Sequence, residues 1–163
     1  MIRLQRGFTL TEMMVVIVVI GILAMLAIPS FQERIVREQV VSALPLADIA
    51  KAPIAAAWTT TQTFPADNAA AGLPVPEKVV NNYISALSVK DGVIQITFGN
   101  RAHNLLKDKT LTLRPAVVED APVVPVTWVC GNAIGPDKMM VKGANSTNVP
   151  NAYLPTGCRA PAQ

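Results

Sequence analysis

Glu12 is the only ionisable side chain between Arg6 and Glu33. Residues 13–28 behind it are apolar apart from one glycine, a composition suited to lipid. A carboxylate in such a run costs on the order of 3 kcal/mol on insertion scales, so it implies either a partner of opposite charge or a functional pathway. The blander role is that of an interfacial residue near a helix start, where negative charge complements the helix dipole. Other side chains with chemical potential are few. Cys130 and Cys158 are the only cysteines and His103 the only histidine. His103 lies among Asn100, Arg101, Asn104 and Lys107, which reads as a solvated connector rather than a catalytic base. No P-loop, nucleotide glycine fingerprint or metalloprotease helix occurs, so the chain is expected to catalyse nothing and to hold neither metal nor cofactor. Lys138, Lys142 and Arg159 form a sparse basic set, the one feature through which DNA or another ligand would be contacted. The chain lacks the clustered Lys and Arg that phosphate recognition needs.

The apolar run must be a helix. Taken over residues 8–31, it reaches about 36 Å at 1.5 Å per residue, enough to cross a hydrocarbon core of about 30 Å. Residues 1–7 carry Arg3 and Arg6 and pass into the run without a small-residue cleavage site behind it, unlike an ordinary secretory signal. Positive charge ahead of the span places the amino terminus in the cytoplasm and the rest of the chain across the membrane. If the leader is lost, the net charge of +3 falls to +1, because two of the fourteen basic residues go with it. The helix is expected to continue to residue 58. Ile35, Val36, Val40, Ala43, Leu44, Ala47, Ala50 and Ile54 recur near helical spacing among charged residues, making this half amphipathic. Pro29, Pro45 and Pro53 each remove an amide donor; a kink is expected at Pro29, and the other two are further candidates for a break.

Residues 59–82 are rich in Thr, Ala, Asn, Gly and Pro and read as a connector, with a short helical turn over 77–82. Strand-like content follows at 83–89 and 93–98 around an Asp91-Gly92 turn, then at 110–114 and 123–130, each bounded by Pro or Gly. The expected fold is α+β: a long amino-terminal helix, apolar then amphipathic, packed on an antiparallel sheet of about four strands. The expected divisions are a leader at 1–7, the helix at 8–58 with its membrane half at 8–31, the connector at 59–82 and a sheet head at 83–163. Trp128 is expected to pack into the core. Outside the cytoplasm disulfides persist, so Cys130 and Cys158 are expected to pair and close a loop of turn-forming residues over 130–158. Two free thiols or a metal pair are the alternatives. Asn145, Ser146 and Thr147 meet the minimal glycosylation triplet, which an Asn-rich loop produces readily by chance.

Arg6, Gly7, Phe8, Thr9, Leu10, Thr11 and Glu12, joined to the apolar run and Pro29, resemble the signature of type IV prepilins. The resemblance implies that a prepilin peptidase cuts between Gly7 and Phe8 on the cytoplasmic face and that the new amino group of Phe8 is N-methylated. It also implies that Glu12 faces the amino-terminal charge of a neighbouring subunit, in keeping with the strength of opposite charges where hydration is poor. Thr11 departs from the bulky aliphatic residue that many relatives carry there. Many members have a similar carboxy-terminal disulfide loop. The function so implied is that of a type IV pilus subunit supporting adhesion, twitching motility or DNA uptake. It would be an inner-membrane precursor with its head outside, partnered by the processing enzyme, the inner-membrane assembly machinery and copies of itself, and finally part of a surface filament. A type II secretion pseudopilin and a DNA-binding or adhesive minor pilin remain the alternatives.

Overall fold

A computed structural model describes residues 7–161, apart from the side chains of 27–30. The chain divides into two compact units between Ile35 and Val36. Helix α1 (Leu10–Ala43) begins in the first unit and ends in the second. In the first unit every described side chain is exposed. The large apolar ones include Phe8 at 80%, Ile17 at 65% and Met25 at 77%, so this stretch finds no core within its own unit.

The second unit is built on the continuation of α1, on α2 (Asp48–Thr61) and on a sheet. Val36, Val40, Ala43, Ala47, Ala50 and Ile54 are fully buried, and their spacing of three and four residues is that of one helix face. The face survives a short 3-10 turn over Leu44–Ala47. Pro45 explains the turn: it has no N–H to donate, and its ring collides with the carbonyl four residues back in a regular helix. Pro53, by contrast, lies inside α2. Near the end of α2 the Thr59 and Thr61 hydroxyls donate to the Ala55 and Ala57 carbonyls at 3.0 and 2.9 Å. Gln62 then turns left-handed (φ 53°) and its N–H donates to the Trp58 carbonyl at 2.9 Å, closing the helix.

Four strands run antiparallel in the order β1 (Ile84–Lys90), β2 (Val93–Phe98), β3 (Thr110–Val117) and β4 (Thr127–Cys130), and β5 (Met140–Val141) also pairs with β3. The β1–β2 turn is Asp91-Gly92, with φ of 49° and 78°, the left-handed pair that a two-residue hairpin of this twist demands. Gly92 is needed for room as well, since a Cβ there would sit 2.6 Å from Phe64. Leu87, Ile94, Ile96, Phe98, Leu111 and Leu113 form a single core cluster with the buried helix face. Trp128 and Cys130 pack against its margin.

The structure differs from the sequence expectation in several places: the short turn expected over 77–82 lies at Pro76–Lys78, the helix runs on to Thr61, and the sheet departs as follows. The third strand passes beyond Arg114 through Pro115 to Val117: β2 pairs only as far as Leu113, β5 takes over on that side, and Pro115 joins the ladder as an acceptor, its carbonyl bonded by Lys142 N–H at 2.8 Å. The fourth strand begins at Thr127 and not at 123. Pro122 and Pro125 lack donors, and Val124 N–H instead closes a turn on the Ala121 carbonyl at 3.0 Å. The two-residue β5 was not foreseen, since it lies in a segment whose composition is that of turns.

The segment after β5 is tied to β3. Ser146 N–H donates to the buried Thr112 hydroxyl at 3.2 Å, Thr112 N–H donates to the Thr147 hydroxyl at 3.0 Å, and Asn148 N–H donates to the Thr110 carbonyl at 3.0 Å. Hydrogen bonds to one central strand thus order a stretch with almost no regular structure of its own.

Candidate functional site

The candidate site is the start of α1. Gly7 and Phe8 precede the helix outside any regular element and both are exposed. A Cβ on Gly7 would meet nothing within 4 Å, so the fold of the chain does not itself require glycine there. Thr9 and Glu12 form a reciprocal cap. Thr9 N–H and the Thr9 hydroxyl each donate to Glu12 Oε2 at 2.8 Å, while Glu12 N–H donates to the Thr9 hydroxyl at 3.3 Å. This is the Ser/Thr-x-x-Glu arrangement that satisfies two orphan amides of a helix start at once. Thr9 was missed at the sequence level although its signal was present, as a threonine three residues ahead of a glutamate at the head of an apolar run. The cap holds the carboxylate at the helix mouth, next to the backbone of Phe8.

Behind the cap lies a helix long and apolar enough to cross a membrane, and none of its most apolar window is buried. Pro29 falls in the segment 27–30, whose side chains lie outside the described residues. The backbone there remains within α1, whose interruption comes at Pro45.

At the carboxy-terminal end Cys130 and Cys158 are joined by a disulfide, with Cα atoms 4.5 Å apart. Gly131 fits beside it only as glycine: its φ is +54°, and a Cβ would lie 2.7 Å from the Cys158 carbonyl oxygen. Asn132 N–H donates to that same oxygen at 2.9 Å.

Two members of the basic set are committed to internal contacts. Lys142 Nζ pairs with Glu119. The Arg159 guanidinium donates to the carbonyls of Leu154 at 2.7 Å and Ala152 at 3.2 Å, and Arg37 also donates to the Ala152 carbonyl, at 2.8 Å. Lys138 is exposed nearby. Lys142 and Arg159 thus tie the carboxy-terminal loop to its surroundings. His103 closes a turn: its N–H donates to Gln39 Oε1 at 2.8 Å and its Nδ1 accepts from Leu105 N–H at 3.3 Å. Asn145 donates to Asn132 Oδ1 at 2.8 Å and accepts from Thr147 N–H at 3.0 Å, so its amide is engaged on both sides. Among the described residues no group of three or more His, Cys, Asp or Glu is placed to hold a metal.

Comparison with known proteins gives two family matches that together span most of the chain. Residues 36–159 match the pilin family of bacterial filaments, and residues 2–28 match the prokaryotic N-terminal methylation motif. A fimbrial protein of Neisseria meningitidis serogroup B is 30% identical over 96% of this chain and 95% of its own length. A type IV major pilin protein of Neisseria gonorrhoeae, PilE1, is 31% identical over 96% and 94%. Fimbrial protein EcpC of Eikenella corrodens is 32% identical over 96% and 92%. With the head and the amino-terminal motif both matched, and with an apolar helix leading into a helix-on-sheet unit, the chain belongs to the pilin family.

Proposed function

We propose that this chain is the structural subunit of a type IV pilus, made as a membrane-anchored precursor and assembled with many copies of itself into a surface filament. The observation that carries the reading is the exposure of every side chain over residues 10–26 of an apolar helix. Such a surface is stable in lipid or against other such helices, and family membership selects the second as its final state. The names of relatives, among them type IV major pilin protein, support the same reading.

In this scheme the leader stays cytoplasmic and the head crosses. A prepilin peptidase cuts between Gly7 and Phe8, and Phe8 is N-methylated. The lack of any internal need for glycine at Gly7 fits a requirement set by the peptidase. The new amino group then meets Glu12 of a neighbouring subunit, and assembly machinery in the inner membrane drives the transfer. The chain contributes surface and register and catalyses nothing. Adhesion, twitching motility and DNA uptake are activities of the filament. Because Lys142 and Arg159 are engaged internally, the sparse basic set adds little to a DNA-binding reading.

The cap makes a sharper test than alanine alone. Glu12→Gln retains a side chain able to cap Thr9 N–H but removes the charge. The charge-pairing account expects Gln and Ala variants to lose filaments alike at equal membrane levels, measured on material sheared from cells. Normal filaments from Glu12→Gln would reduce Glu12 to a helix cap.

A further inference from the structure

We propose that Asn68 is a latch that closes the outer edge of β1 against pairing with another strand. Asn68 is 5% exposed, and with Thr112 it makes up the buried polar residues among those described. Its side-chain amide donates to the Leu87 carbonyl at 3.0 Å and accepts from Val89 N–H at 2.6 Å, and it also donates to the Pro74 carbonyl at 2.9 Å. Leu87 and Val89 are alternate residues of β1, which stands at the end of the sheet order with β2 on its other side. A group that donates to one residue and accepts from the residue two further on reproduces what a single residue of a parallel neighbouring strand offers through its N–H and C=O. One asparagine thus stands in for a strand.

The surroundings show why one residue matters. At the hairpin tip the connector accepts from Asp91 and Gly92 N–H through the Ala66 and Pro65 carbonyls, at 3.1 and 2.9 Å. At the other end Asn81 Oδ1 accepts from Tyr83 and Ile84 N–H, both at 2.8 Å. Between these anchors a cavity of about 260 Å³, lined by Leu73, Val75, Ser88 and Val89, lies beside Asn68. The connector therefore reaches the middle of β1 through the amide of Asn68 and not by a continuous ladder. With the amide gone, the buried Leu87 carbonyl and Val89 N–H lose their partner, and each time the connector lifts from β1 a seven-residue strand is bared as a template for the same edge of a second copy. Held in place, Asn68 keeps heads that share one membrane from joining by their strands. The latch belongs to the fold of the head and does not depend on the filament reading.

The test uses the full chain in detergent micelles, comparing wild type with Asn68→Ala, Asn68→Asp and, as a control for general loss of stability, Ile54→Val. Amide exchange at Val89 and sedimentation equilibrium are the readouts. Asn68→Ala is expected to speed Val89 exchange roughly tenfold, the equivalent of one net hydrogen bond, and to produce dimers as concentration rises. Asn68→Asp keeps an acceptor for Val89 N–H and should leave that amide slow, whereas Ile54→Val should melt earlier without dimerising. Should the alanine variant fail to fold, Asn68→Ser carries the same two readouts. Unchanged exchange at Val89, or association no greater than in Ile54→Val, would overturn the proposal.

Discussion

Two stretches of this chain are helical for different reasons. Over residues 10–26 every side chain is exposed and all but Thr11, Glu12 and Gly21 are apolar. Over residues 36–58 the apolar side chains recur every three or four positions, and Val36, Val40, Ala43, Ala47, Ala50 and Ile54 disappear entirely into a core. The second stretch satisfies its hydrophobic face within its own unit. The first has been left for an external partner, lipid or a sibling helix, and its one acid is held by a cap at the start. Equal secondary structure therefore hides opposite energetics: burial on folding stabilises one, burial on assembly the other.

Charge placed in each stretch should separate the two most strongly. Val40→Lys buries an unpaired ammonium and is expected to cost several kcal/mol, enough to abolish cooperative melting of the head by near-ultraviolet circular dichroism. Val18→Lys, at a position 61% exposed, should leave that melt unchanged while costing about 3 kcal/mol of membrane insertion, read by membrane fractionation. If Val18→Lys lowered the melt as far as Val40→Lys, the contrast would fail.

The next effect concerns the carboxy-terminal loop. Replacing Cys130 and Cys158 together by serine removes a cross-link with a sequence separation of 28. About 3 to 4 kcal/mol should be lost in denaturant unfolding on the chain-entropy model. The loss should fall on the head and leave helix formation over residues 10–26 in micelles intact. A smaller cost, about 1 to 3 kcal/mol, is expected for Thr112→Val, which keeps shape but leaves Ser146 N–H without its acceptor. Exchange at Ser146 should accelerate more than exchange in β1. The smallest effect is about 1 kcal/mol for Thr9→Val, seen as faster amide exchange at the first turn of α1 with the head melt unchanged.

Legibility in the sequence followed the range of the interactions. The amphipathic helix was readable because its buried face depends on neighbours three and four residues away, and the Asp91-Gly92 hairpin because two residues determine its turn. Pro45 was recognised as one of three candidate interruptions, but only packing shows that the break falls there while Pro53 is carried within α2. Val123, Val124 and Val126 imitated a strand because composition alone does not register what Pro122 and Pro125 withhold from a ladder. Thr112 and Asn68 were invisible for the opposite reason. Their partners lie 34 residues away at Ser146 and 21 residues away at Val89, and a polar residue in such a context reads as surface or loop. At the candidate site, Glu12 stood out by its isolation. Thr9, its capping partner, carried a signal too, a threonine three residues ahead of a glutamate, but one easily passed over beside so conspicuous an acid.

Mass spectrometry of fibres sheared from the cell surface tests the central claim most directly. The account predicts that this chain is present there beginning at N-methylated Phe8, without residues 1–7. Chains that keep Met1 or the residues up to Gly7, found only as single molecules in the membrane fraction and absent from fibres, would contradict it.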